Sequence, residues 1–282
     1  MSQAVWFNGA LVTGPLAIDP GDRGLLLGDG LFETVAVFAG KPVWLADHLD
    51  RLEAGAKSLG LPADRSKIEA AIAETLGASP HPHGILRITL TRGAGVRGLA
   101  ADGNAPSLLV TLSAWVKGML FAPAKLVTST IRRNETSPAS RLKTLSYVDN
   151  ILAAREAAAA QCDDALLLNT KGRLAATTIA NVFVLSGGRL ATPPLTAGIL
   201  PGIARRKLLT LTQAEERDIA PAELLLADAV FVTNSLRLVR PVHALDGHQL
   251  RHEESALALF FEQLCASVVT ETGFDPRQAD AL

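Results

Sequence analysis

Residues 4–13 (AVWFNGALVT) alternate apolar and polar positions around Asn8-Gly9, a dipeptide suited to a tight turn, so the chain opens on a predicted β-hairpin. Asp29-Gly30 is a second turn signal, and LFETVAVF at 31–38 reads as a strand. Gly40-Lys41-Pro42 then turns the chain into a second short strand, PVWL. From 46 to 60 the period changes: Leu49, Leu52, Ala56 and Leu59 recur at helical spacing, and Gly60-Leu61-Pro62 ends the helix. A further helix is expected over 65–76, followed by strands at 85–91 (ILRITLT) and 107–113 (SLLVTLS).

Around 117–124 the pattern lapses into Gly, Pro and small residues, which marks a domain boundary. Beyond it KLVTST starts a new strand, and 146–160 is strongly helical with a long Ala run. ALLLN, NVFVLS and AVFVTN read as strands, and 202–212 and 253–266 as helices. There is no internal repeat. The alternation fits an α+β fold in two domains: a smaller one over 1–116, an interdomain loop at 117–124 and a larger one over 125–282.

The 282 residues, 48% of them hydrophobic, suffice for well-filled cores in such domains. A net charge of −1 gives no field for nucleic acid, a membrane surface or a polyanion, and basic residues cluster only briefly at Arg132-Arg133 and Arg205-Arg206-Lys207. Cys162 and Cys265 are too few for a secreted disulfide scaffold and are expected as buried thiols. The N-terminus lacks signal-peptide character, and no apolar run reaches the roughly 18–20 residues that span a bilayer. A soluble, cytoplasmic protein is the expectation. Histidines at 48, 81, 83, 243, 248 and 252 suggest no metal site, and His81-Pro82-His83 reads as a surface turn. GAGVRG at 93–98 matches the dinucleotide fingerprint formally. The fingerprint must open a helix, whereas LAADGNAPS is a loop sequence, so no dinucleotide role follows.

Three stretches carry a specific signal: DRGLLLGDGLFETVAVFAGKPVWLADHLDRL (22–52), SRLKTLSYVDNILAAREA (140–157) followed by DDALLLNTKGRLAATTIANVFVL, and TAGILPGIARRKLL (196–209) with FVTNSLRLVRPV (231–242). In order and spacing they resemble the class IV, or fold type IV, pyridoxal-phosphate enzymes. These include D-amino-acid transaminases, branched-chain aminotransferases, R-selective amine transaminases and aminodeoxychorismate lyases. The resemblance implies a small N-terminal α/β domain, a larger C-terminal domain with a β-barrel-like core, pyridoxal 5′-phosphate as cofactor, and a homodimer. It puts Lys143 at the Schiff-base lysine and Arg51 at the arginine that grips the cofactor phosphate. Ile203 and Ala204 match the pair whose N–H groups hold that phosphate, Asn234 and Ser235 the second phosphate-binding turn, and Leu200 the residue packed on the pyridine ring. Tyr147 aligns, with one gap, near the cofactor 3′-oxygen.

Elementary chemistry supports these placements. An amine that attacks an aldehyde must be unprotonated, which calls for a cationic neighbour or a desolvated site, and Leu142 and Leu145 flank Lys143. A phosphate dianion suits a helix N-terminus and an arginine fork. One departure stands out. The resemblance implies a glutamate, four residues after Gly172, that keeps the pyridine nitrogen protonated, and here that position is Ala176. Thr177 or Thr178 could offer a neutral hydroxyl there.

The expected chemistry is amino transfer from a D-amino acid, or another small amino acid, to a 2-oxo acid. Arg97 matches the residue that holds the substrate α-carboxylate, although the histidine expected two residues later is Leu99. Branched-chain amino-acid transfer, pyruvate release from aminodeoxychorismate, and a non-catalytic homologue are the alternatives.

Overall fold

The computed structural model describes residues 4–100 and 105–281, which divide into two compact units. The first comprises the chain up to Val116 with Leu142–Ser146 and Glu271–Phe274, and the second comprises Lys117–Arg141, Tyr147–Thr270 and the residues from Asp275.

In the first unit, β1 (Ala4–Phe7), β2 (Ala10–Leu11), β3 (Gly30–Phe38), β4 (Lys41–Pro42), β5 (Gly84–Thr91) and β6 (Ser107–Ala114) form one antiparallel sheet. Its order is β2-β1-β6-β5-β3-β4. Helices α2 (Leu45–Leu59) and α3 (Arg65–Ala78) pack on this sheet, and α1 (Arg23–Leu27) is a short turn before β3. Leu49, Leu52 and Ala56 of α2 meet Leu31, Val35 and Val37 of β3 in the core, so the helical spacing and the strand pattern serve a single apolar interior. The Asn8-Gly9 hairpin forms, with both residues at positive φ. PVWL does not extend as a strand. Pairing stops at Pro42, and the buried Trp44 takes a left-handed conformation (φ 51°) that turns the chain straight into α2.

In the second unit, β7 (Ala124–Arg133), β8 (Asp164–Asn169), β9 (Leu174–Thr177), β10 (Asn181–Ser186), β11 (Arg189–Thr192), β12 (Glu215–Glu216), β13 (Ala229–Asn234), β14 (Leu238–Leu245) and β15 (His248–Gln249) form the larger sheet. The path β10-β13-β14-β7-β8-β9 closes on itself where Ala176 of β9 pairs with Asn181 of β10, which makes a six-stranded ring. Its interior is aliphatic, with Leu126, Leu166, Val182, Val184, Val230 and Val242 buried together. The surrounding helices are α4 (Val148–Ala159), α5 (Ile203–Thr212), α6 (Pro221–Leu226), α7 (Glu254–Thr272) and α8 (Pro276–Ala281). The alanines of α4 allow close packing, with Ala153 and Ala157 against Ala165 and Leu167 of β8. The two-layered α+β class and the barrel-like core are therefore present. β9, β11, β12, β14, β15, α1, α6 and α8 were not legible in the pattern, and α7 runs six residues past the expected end at 266.

No helix among the described residues is long and apolar enough to cross a membrane. Both cysteines are free; Cys265 is buried, but Cys162 at the end of α4 is only half-buried, against expectation. Residues 81–83 form a partly exposed bend, as expected, and His83 also makes contacts within the unit. Its ring packs 4.5 Å from that of Phe274, and its Nδ1 accepts the Ala39 N–H.

Candidate active site

Residues 142–146 are extended and run antiparallel to the start of β3. Phe32 N–H donates to the Lys143 carbonyl at 2.9 Å, and Leu145 N–H donates to the Gly30 carbonyl at 3.0 Å. Backbone pairing thus fixes the origin of the Lys143 side chain before α4 begins. Its Nζ lies 4.3 Å from the centre of the Phe32 ring, and the Arg87 guanidinium lies 4.0 Å from the same ring. Leu142 packs on the apolar core of this unit.

A buried ion network stands beside the amine. Glu33 of β3 is fully buried and accepts from Arg51 Nε at 2.8 Å, Arg51 Nη2 at 2.6 Å and His48 Nδ1 at 2.7 Å. His48 and Arg51 lie about one turn apart on α2 and so face β3 together. Burial alone would raise the Glu33 carboxyl, but the Arg51 charge and the hydrogen bonds from Arg51 and His48 hold it down at about 2. Burial pushes His48 below its ordinary value against the pull of Glu33, so the imidazole is neutral at neutral pH and carries its proton on Nδ1. Among the described residues its buried Nε2 has no hydrogen-bond partner. Lys143 is lowered from 10.5 to about 8, chiefly by burial, with Arg51 and Arg87 adding to the effect and Glu33 opposing it. The requirement for a desolvated, cation-flanked amine is met. Glu33 and His48 were missed in the sequence, where nothing marks two residues fifteen positions apart, on a strand and a helix, as partners. The Arg51 fork is engaged by Glu33, and Asp50 on the same helix pairs with Arg65.

The other candidate phosphate residues, Ile203, Ala204, Asn234 and Ser235, lie in the second unit. α5 starts at Ile203 after Gly202 with no side-chain cap, and Ile203 and Ala204 are buried, so the first N–H groups of this helix have no intrahelical acceptor. Asn181 of β10 donates from Nδ2 to the Leu200 carbonyl at 3.0 Å, which ties the approach to this helix to the rim of the ring. A Cβ on Gly202 would sit 1.9 Å from Asn181 Oδ1, so any larger residue there forces the Asn181 side chain to move. Gly202→Ala is therefore expected to push Asn181 away and weaken phosphate binding by the unloaded chain about tenfold or more, as read by titration calorimetry, with a smaller effect on melting temperature. Asn234 closes the neighbouring turn: its Oδ1 accepts the Leu236 and Arg237 N–H groups at 3.0 and 2.9 Å, and its Nδ2 donates to the Ile179 carbonyl at 3.4 Å. Ser235 lies half-buried in that turn.

Tyr147 precedes α4 and sits within electrostatic reach of Arg133, whose guanidinium bonds the Gly198 and Ser140 carbonyls and Asn150 Oδ1. Ala176 occupies the seam of the ring opposite Asn181, on the same rim as Leu200. The neighbouring hydroxyls are engaged. Thr177 Oγ1 accepts the Ala180 N–H at 3.1 Å, and Thr178 Oγ1 donates to the buried Asp164 at 2.5 Å. Arg97 is exposed in the loop after β5, whose far end is held by Arg23 donating to the Gly98 and Leu99 carbonyls at 2.7 and 2.9 Å. No helix follows GAGVRG up to residue 100, and residues 101–104 of the predicted loop lie outside the described residues. Among the described residues no three His, Cys, Asp or Glu side chains gather as metal ligands.

Comparison with known proteins adds an independent line. A family model described as amino-transferase class IV matches residues 30–245. Aminodeoxychorismate lyase of Bacillus subtilis is 28% identical over 270 residues, covering 91% of this chain and 92% of that one. D-alanine aminotransferase of Bacillus licheniformis is 28% identical over 258 residues, covering 87% and 89%. A crystal structure of branched-chain aminotransferase from Thermoproteus uzoniensis with norvaline superposes with a TM-score of 0.88 at 25% identity, covering 97% of each chain.

Proposed function

Because the chain belongs to the class IV aminotransferase family, whose members work through pyridoxal 5′-phosphate, we propose that it moves an amino group from a small amino acid, with D-amino acids the first candidates, to a 2-oxo acid. The observation that carries this reading is the Lys143 amine, lowered to about 8 beside Phe32 and the Glu33–Arg51 pair.

Each unit carries groups suited to part of the cofactor: Lys143 offers an amine in the first, and the N–H groups at the uncapped start of α5 suit a phosphate in the second. In this reading Lys143 would hold the cofactor covalently, with its phosphate on the Ile203 and Ala204 N–H groups and the Asn234–Ser235 turn. Leu200 would pack on the ring, Tyr147 would lie near the 3′-oxygen, and Arg51 would add positive charge toward the phosphate while it holds Glu33. The bound cofactor contributes an aldehyde carbon and a conjugated ring that draws electrons from the substrate Cα. Lys143 Nζ would take the proton from the substrate Cα and hold it as an ammonium, a task suited to an amine poised near neutrality. Glu33 keeps the site electrically balanced and limits how far the Lys143 amine falls. Arg97 would take the substrate α-carboxylate.

The preference for D-amino acids is supported by Arg97 and by the D-alanine aminotransferase relative. A second reading, release of pyruvate from aminodeoxychorismate, is supported by the lyase relative. Incubation with a panel of D- and L-amino acids, with pyruvate or 2-oxoglutarate as acceptor and chiral analysis of products, tests the first. Pyruvate formed from aminodeoxychorismate without an acceptor would replace it by the second.

Ala176 bears on both readings. Ala176→Glu is expected to retain the fold, because the position is only half-buried, and to raise the rate of substrate α-proton exchange with solvent by favouring the protonated ring nitrogen. A soluble, cofactor-binding variant with an unchanged exchange rate would remove position 176 from the neighbourhood of that nitrogen.

The reading includes a homodimer in the cytoplasm. Leu25, Leu26 and Leu27 are all exposed on α1, and Val148, Ile151 and Leu152 form an exposed apolar face on α4, surfaces that solitary chains seldom leave bare. Light scattering on the purified chain reads the mass directly, and a monomer at micromolar concentration would contradict the dimer.

A further inference from the structure

Arg237 is unlike the other covered arginines of the second unit. Arg133, Arg205, Arg217 and Arg240 all have their guanidinium groups engaged. Arg133 bonds the Gly198 and Ser140 carbonyls, Arg205 bonds Pro193 and Glu216, Arg217 pairs with Glu223, and Arg240 bonds Ala122, Pro123 and Asp163. Arg237 is half-buried, yet among the described residues nothing accepts a hydrogen bond from its guanidinium and no carboxylate lies within ion-pair distance. Five donors in a fixed fork, partly removed from water and unmatched, are an unfavourable arrangement for a structural residue. Burial and the Arg240 charge work against the cation, and Asp164 and Asp163 support it only from a distance.

The backbone that carries this fork is well fixed. The Arg237 N–H is bound by Asn234 Oδ1 at 2.9 Å, and Leu238 takes a positive φ of 56° while its carbonyl accepts Thr233 Oγ1 at 2.5 Å. The turn that carries Arg237 therefore carries Asn234 and Ser235 as well, and it is tied through Asn234 Nδ2 to Ile179, two residues before the Asn181 that holds Leu200 at the α5 approach. The turn that carries this unmatched guanidinium and the uncapped N-terminus of a ten-residue helix adjoin one rim of the ring.

We propose that Arg237 is the side-chain receptor for an oxyanion on this rim, binding either the cofactor phosphate or a carboxylate of the 2-oxo acid substrate. The identity of the anion rests on the aminotransferase reading; the existence of the receptor does not. A planar fork suits both anions, since each presents two oxygens at matching separation.

The test uses the full chain, freed of cofactor where stated, as wild type, Arg237→Gln and Arg237→Lys. Calorimetry of the cofactor-free proteins with inorganic phosphate and with pyridoxal phosphate reads the phosphate arm. Steady-state kinetics of the loaded proteins with D-alanine and 2-oxoglutarate reads the carboxylate arm. Loss of a charge-assisted contact corresponds to roughly ten- to a hundredfold in affinity. A loss of that size for both phosphate ligands in Arg237→Gln, partly restored by lysine, supports the receptor and names the phosphate as its anion. A KM for 2-oxoglutarate raised about tenfold or more, with cofactor affinity within about twofold of wild type, supports it and names the carboxylate. Phenylglyoxal labelling of wild type, mapped by mass spectrometry, serves if the variants fail to fold: Arg237 should be protected by inorganic phosphate or by 2-oxoglutarate. Labelling unaffected by either anion, or all constants within about twofold in Arg237→Gln, overturns the proposal. A wild type that binds no pyridoxal phosphate but still shows anion-protected Arg237 would defeat the aminotransferase reading and leave the receptor standing.

Discussion

Lys143→Ala is expected to lose at least about a hundred- to ten-thousandfold in turnover, the range that a positioned proton-transfer group supplies, and to lose all borohydride-stable attachment of the cofactor. The fold should survive. Residues 142–146 are held by backbone bonds to Gly30 and Phe32, which alanine retains. The charge itself opposes folding. An amine lowered from 10.5 to about 8 is more readily protonated in the unfolded chain, so its penalty is fully present below about pH 8 and is relieved as pH rises toward 10.5. Lys143→Met, which keeps the aliphatic stem, should therefore gain stability over the unloaded wild type at pH 7 and lose that advantage by about pH 10.5, as followed by denaturant unfolding. An inactive variant that is also unfolded at every pH would mean that Lys143 serves the architecture.

Glu33→Gln is expected to have the largest effect on stability, about 3–5 kcal/mol in the unloaded protein, the usual consequence of removing one member of a buried ion pair. Three donors point at the Glu33 carboxylate, two from Arg51 and one from His48, and the glutamine amide would oppose one of them with a donor of its own. The pH dependence has a definite sign. The folded carboxyl is depressed from 4.5 to about 2, so its contribution is complete above pH 4.5 and disappears as pH falls through about 2. The gap between wild type and variant should narrow across that window. In the same variant the Lys143 amine should fall further, below about 8, because the Glu33 charge that raises it has gone while Arg51 and Arg87 remain. A variant that is destabilised but leaves the Lys143 titration unmoved would confine Glu33 to a packing role.

Several elements of this arrangement were open to reading from the chain. The α2 spacing of Leu49, Leu52 and Ala56 is set by one helix facing one core, and LPG before Ile203 identifies an uncapped helix start without any tertiary knowledge. Lys143 was legible because its motif is contiguous. Glu33 and His48 were not, since their pairing depends on how α2 lies across β3, and a mostly apolar strand with one acid gives no sign that the acid is buried with a partner. Trp44 illustrates a different limit: PVWL has strand composition, but a left-handed residue before α2 overrides it. β9 has only four residues, too short for alternation to register, and it matters because Ala176 closes the ring. Arg237 was quoted within its motif, but its lack of a partner is a property of the folded surroundings alone.

The central claim is that Lys143 is an activated amine that receives the cofactor aldehyde. The most direct measurement loads the cofactor-free wild type with pyridoxal phosphate across a pH series, reduces with borohydride and maps the labelled peptides. The account predicts one dominant label, on Lys143, with an apparent midpoint near its titration at about 8. Label spread over the exposed lysines with no preference for Lys143, or confined to another residue, would contradict it.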